Sequence, residues 1–260
     1  MMRANTIRGK VLLVNARYQQ KGCSIIMTTS DAQQDQKEVG ASVLVWDLPL
    51  RLFHWSLAGA VIVSVASAKA NQMVVHEKSG LTILGLIVFR LIWGFFGSST
   101  ALFSHFIKGP SSVLKTVKAL INKNSDTQSG HSALGGWAVL ALLGITLYMP
   151  LTGMLSSDDI LYDGPLAFLL PDLTRTLTRL HHNGQFILFA LIALHLSAMV
   201  VYYLRLKMNL LPAMITGRRR GATGSTATLS VKRRRYGLLL LLACVAVAHL
   251  IVLLSPPDFF

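Results

Sequence analysis

Five stretches of mostly apolar residues, over 52–69, 75–96, 131–155, 181–204 and 236–254, constrain this chain more than anything else in its sequence. About 20 such residues in a helix cross the roughly 30 Å of hydrocarbon in a bilayer. Hydrocarbon offers the backbone no hydrogen-bond partner, so a single segment can span it only as a helix, which satisfies its own N–H and C=O groups. The pattern predicts an all-α integral membrane protein with five spans. Composition agrees: 52% of residues are hydrophobic and 14% charged, against about 25% charged in ordinary soluble domains. Pro150 and Gly153 should loosen the far end of the third span, because proline removes a backbone donor. Trp55 and Trp93 fall near span ends, where amphipathic rings favour the membrane–water interface.

The formal net charge of +14 invites a nucleic-acid reading, but the placement of the charge opposes it. With an N-terminus on the cytoplasmic side, 21 of the 25 lysines and arginines fall inside; Lys69, Lys78, Arg175 and Arg179 fall outside. That asymmetry predicts an N-in, C-out multi-pass protein of a cytoplasmic (inner) membrane. The basic runs 218–220 and 232–235 then read as topology signals and lipid-phosphate contacts, with no nucleic-acid partner. Cys23 and Cys244 are far apart and fit no zinc, disulfide or covalent-haem pattern.

The flanking segments carry less. Residues 1–44 read as a polar N-terminal extension. Val11–Val14 is too short for the apolar part of a signal peptide. Met27 opens the segment MTTSDAQQDQ, which has the character of an ordinary leader, so residues 1–26 are expected to lie upstream of the true start. Between the second and third spans, Phe106, Val113, Leu114, Val117, Leu120 and Ile121 recur at helical spacing among lysines, as in a helix lying on a membrane surface. The loop after the third span carries Asp158, Asp159, Asp163 and Asp172, an acidic outer feature suited to a basic soluble partner.

The histidines bring chemistry. Ionisable side chains inside spans are rare and mark functional sites, yet His54, His76, His131, His181, His182, His195 and His249 lie in or at the edges of spans. Neutral imidazole is a common axial ligand of haem iron. His181 and His195 are 14 residues apart on one helix, which places them within about 40° of one face and about 21 Å apart along the axis. His182 points to nearly the opposite face from His195. Depth then matches partners: His54 with His195 at the inner level, and His76 with His181 at the outer level. His131 could replace His54, hydrogen-bond a haem propionate or bind a quinone head group. His249 reads as structural and His105 as a surface residue. Arg51, one turn before His54, and Arg90, on nearly the face of His76 but at the inner level, could pair with inner propionates or snorkel to lipid phosphate.

Several motifs in order carry a resemblance. VWDLPLRLFHW, HEKSGLTILGLIVFRLIWGFFG, ALFSHFIKGP, GHSALGGWAVLALLGITLYMPLTG, HHNGQFILFALIALH and LLPAMITGRRR together resemble the bacterial cytochrome b561 and nickel–iron hydrogenase b-type cytochrome family, over residues 45–220. The resemblance implies a four-helix haem-binding transmembrane bundle, with haem b held by paired histidines on the first, second and fourth spans. Carried over by motif, the ligands are His54, His76, His181 and His195. It also implies electron relay between quinone and a redox partner, such as a c-type cytochrome or a peripheral redox subunit. Two departures stand out: His182 occupies a position that is commonly acidic in the family, and the fifth span is additional to the four-span core.

These readings divide the chain into the extension 1–44, a haem-binding membrane domain 45–220, a basic linker 221–235 and an extra span with its tail at 236–260. Two ligands on each iron favour electron transfer over oxygen activation. Two haems b are expected, and a homodimer stays open. Rival readings are a quinone-coupled oxidoreductase acting on a small oxidant such as superoxide, a transporter, and a haem-free anchor subunit.

Overall fold

A buried carboxylate starts the helical bundle. The computed structural model describes residues 42–107, 109–121, 133–157, 162–220 and 226–254. Its five long helices are α1 (Leu48–Lys69), α2 (Met73–Phe96), α3 (Ala133–Gly153), α4 (Thr174–Leu206) and α5 (Val231–His249). Among the described residues, five helices are long and apolar enough to cross a membrane. Most of the 1–44 extension, the start at Met27, His131 and the Asp158–Asp159 pair lie outside the described residues.

Helix α1 begins four residues earlier than the apolar run suggests. Asp47 is its N-cap and accepts from Leu50 N at 2.7 Å, and Pro49 sits in the first turn, where its missing N–H costs nothing. The second carboxylate oxygen of Asp47 accepts from Trp93 Nε1 at 3.2 Å and from the Ser98 hydroxyl. Thr100 Oγ1 donates to Val45 O at 2.7 Å. One buried polar cluster therefore ties the N-terminal end of α1 to the C-terminal end of α2. Trp93 is buried in this cluster. Its N–H has an internal acceptor, so it does not take the interfacial place that its position in the sequence suggests.

Helix α2 is central. It packs against α1, α3 and α5, while α4 packs mainly against α3. Gly85 lets α5 approach closely: a Cβ there would lie 2.6 Å from Val245 Cα. Small residues allow such backbone contact between helices in a membrane. Thr82 Oγ1 meets His249 Nε2 at 3.0 Å near the other end of the same contact. The additional fifth helix is thus an integral part of the bundle, and His249 serves as an interhelical hydrogen-bonding group.

After α4, the short helix Leu211–Thr216 folds back beneath α1. Trp55 Nε1 donates to Met214 O at 3.2 Å, and the Arg51 guanidinium donates to Ile215 O. The strand Arg218–Arg220 then pairs antiparallel with Ser42–Leu44. The amphipathic stretch before α3 forms a helix over Pro110–Ile121 that packs on α3, with Lys115 and Lys118 exposed.

The Asp47 cluster gives a test. Asp47→Ala leaves Leu50 N, Trp93 Nε1 and Ser98 Oγ without their acceptor, and should cost about 2–4 kcal/mol, read as a lower thermal midpoint in detergent. Ser98→Ala keeps the carboxylate and its other two donors, and should cost about 1 kcal/mol. Equal effects would show that the carboxylate is not the hub.

Candidate functional site

Helix α4 packs extensively on neither α1 nor α2. Two pairs of imidazoles face each other across the space between them. At one level, the His54 and His195 rings lie 6.5 Å apart, centre to centre; at the other, His76 and His181 lie 6.0 Å apart. Bonds of about 2 Å from two ring nitrogens to a shared metal place the ring centres roughly 6 Å apart. Both pairs therefore have the separation that one iron between them requires. The pairing is the one expected from depth and face.

The His76–His181 pair is oriented by backbone carbonyls. His76 Nδ1 lies 2.9 Å from Ser64 O and 3.2 Å from Ser64 Oγ. His181 Nδ1 lies 2.9 Å from Met149 O and 3.1 Å from Thr152 Oγ1. A carbonyl oxygen only accepts, so each ring must donate from Nδ1. Each Nε2 then keeps its lone pair, the arrangement typical of a metal-ligating histidine. Helix α4 starts seven residues before His181, so this ring sits two turns inside the helix rather than at its start. Gly153 makes room for it, since a Cβ there would lie 2.9 Å from the His181 ring.

Between these rings opens a cavity of about 730 Å³, a size typical of small-molecule and cofactor sites. Val65, His76, Gly80, Met149, His181 and Phe189 contribute to its wall. Gly80 lies one turn after His76 on the same face of α2, and a Cβ there would meet nothing within 4 Å. The glycine leaves open space beside the imidazole that a flat macrocycle can use. His182 also borders the cavity but is exposed.

At the level of His54 and His195, the His54 Nδ1 is buried without a hydrogen-bond partner among the described residues. A buried polar atom left open in this way fits a site completed by a bound group. Trp55 stands edge-on to His54 at 5.3 Å. Arg51 reaches the carbonyl of Ile215. Arg90 is buried; its Nη2 donates to Ala101 O at 3.0 Å and its guanidinium lies 4.7 Å over the Phe103 ring. Arg51 thus reaches the helix Leu211–Thr216, and Arg90 the turn after α2. His105 is exposed.

Some site residues escape a reading of the sequence. Ser64 and Thr152 are hydroxyl residues in apolar spans, a weak but visible signal. The carbonyl of Met149 leaves no trace in sequence, because every residue has one. Tyr162, on the loop after α3, donates to Glu77 Oε2 at 2.8 Å, beside His76, and borders the cavity. Burial, reinforced by the Glu77 carboxylate, pushes this phenol above its ordinary value.

The family model for prokaryotic cytochrome b561 matches residues 45–217, a range that takes in α1 to α4 and ends before α5. No curated protein and no solved structure matches the chain.

The raised Tyr162 value carries a prediction with a definite sign. A phenol whose folded value exceeds its unfolded one stabilises the fold fully below the unfolded value, about pH 10, and loses that contribution as pH rises further. Tyr162→Phe should therefore lower stability by about 1–2 kcal/mol near neutrality and flatten the alkaline loss seen in the parent protein. A series of thermal melts from pH 7 to beyond the tyrosine range reads both effects; parallel curves would refute the assignment.

Proposed function

The chain belongs to the prokaryotic cytochrome b561 family, a membrane b-type cytochrome of electron transfer, and we propose that it moves electrons through two haems b bound at two levels of the bundle. His54 and His195 would hold the inner haem, and His76 and His181 the outer one. The observation that carries this reading is the spacing of the two imidazole pairs, 6.5 and 6.0 Å, at two positions along one helix. The open cavity at Gly80 and the orphaned nitrogen of His54 fit the same group.

Bound haem b supplies a one-electron iron couple with no free coordination position when two histidines ligate it. The chain's own residues do the rest. Ser64 and Met149 carbonyls fix the tautomer and direction of the outer ligands. α4 sets the distance between levels, about 21 Å along its axis. The apolar walls exclude water, and burial of this kind tunes a haem's potential.

Family membership further supports a quinone as one redox partner and a c-type cytochrome or peripheral subunit as the other. The concentration of lysine and arginine at the level of His54 and His195 supports placing that level, and the N-terminus, on the cytoplasmic side. The domain reading follows: residues 45–220 bind the haems, and the fifth span completes the bundle through α2.

Purified protein should contain two haems b per chain by pyridine haemochrome assay and show two components in a potentiometric titration. His195→Ala should remove one component and His76→Ala the other, each leaving about one haem. One haem in the parent protein, or loss of the same component in both variants, would overturn the two-level reading. Gly80→Leu, whose Cβ would enter open space, should deplete only the component lost in His76→Ala.

A further inference from the structure

The outer cavity has a polar mouth whose charges the proposed histidine ligands do not explain. Its lining includes one lysine or arginine, Lys69, and one carboxylate, Glu77. Lys69 ends α1, and its side chain is exposed. It shares the cavity-facing side of α1 with Val61, Val65 and Ala68. It follows Ser64, the residue that anchors His76, by five positions, which raises it about 7.5 Å along the axis toward the aqueous end. Lys69 has no hydrogen bond or ion pair among the described residues. Glu77 Oε2 accepts from Tyr162 Oη at 2.8 Å.

The cavity thus presents an apolar body between two imidazoles, a carboxylate engaged by a phenol, and a free ammonium at the rim. Haem b has the matching chemistry: an apolar macrocycle with two propionates on one edge. A propionate entering beside Glu77 would meet like charge, whereas one beside Lys69 would form a charge-assisted hydrogen bond. We propose that Lys69 is the counter-ion for a propionate of the outer haem and fixes which edge of the macrocycle faces the aqueous phase. This rests on the proposed outer haem site. The competing role for Lys69 is to reach lipid phosphate, as lysines at span ends commonly do.

Lys69 is exposed at a helix end, so its replacement should leave the fold intact. The test uses the detergent-solubilised holoprotein, with transfer of haem to apomyoglobin and potentiometric titration as readouts. Lys69→Met should speed release of the outer haem about tenfold, the factor expected for one lost charge-assisted contact. It should also shift the outer midpoint to lower potential, because a nearby positive charge favours the reduced iron. The inner haem should be unaffected, and Lys69→Arg should restore both readouts. Lys78→Met removes a neighbouring exposed cation that does not border the cavity, and should change neither. Two haems in the parent protein with a Lys69→Met variant that behaves like Lys78→Met would overturn the counter-ion and leave the haem sites standing. A parent protein that lacks the outer haem would overturn both.

Discussion

A polar atom in hydrocarbon must find its partner inside the protein, and nearly every specific feature of this bundle answers to that constraint. The helices satisfy their own backbones. The ionisable side chains cannot, and several of them impose a contact. Asp47 draws Leu50 N, Trp93 and Ser98 around itself and so fixes how α1 meets α2. His249 finds Thr82 and holds the fifth helix to the second. His76 and His181 find carbonyls of neighbouring helices, Ser64 O and Met149 O. Those last contacts do more than pay a desolvation cost, because they dictate the tautomer and leave the other nitrogen of each ring bare.

This explains how an apolar bundle can hold a cavity open between its helices. α4 leans on α3 and leaves a gap toward α1 and α2. Direct packing across that gap would bury apolar area, but histidines at both levels interrupt it. Gly80 leaves space beside the His76 ring, and Gly153 makes room for His181. The site is built as much from missing side chains as from those present. The close approach at Gly85 concentrates dispersion contacts on the opposite side of α2, so the helix that borders the cavity is also the best supported one.

The spans were legible from apolar periodicity and length alone, and the histidine pairs from depth and face, because a helix converts residue number into height and angle with little freedom. His181 over His182 followed from that arithmetic, and the 6.0 Å approach of His76 to His181 agrees with it. Other parts were not legible. Trp93 has the sequence position of an interfacial residue but lies buried against Asp47. The contacts of Arg90 and Arg51 with the carbonyls of Ala101 and Ile215 leave no trace in sequence either. The contacts of Trp93 with Asp47 and of Arg51 with Ile215 join segments distant in sequence, for which no local spacing exists to read.

The sequence by itself determined that this chain spans a membrane five times, which of its ends carries the positive charge, and which histidines share a depth. These are properties of single helices in an apolar slab, and local spacing suffices to set them. Tertiary structure alone decided that the imidazoles of each pair approach to about 6 Å, which ring nitrogen of His76 and His181 meets a carbonyl, and that Tyr162 engages Glu77. Those outcomes depend on the rotation and separation of helices about one another. These are set by glycine contacts, by backbone carbonyls and by loop hydrogen bonds, none of which has a period or a motif that can be read along the chain.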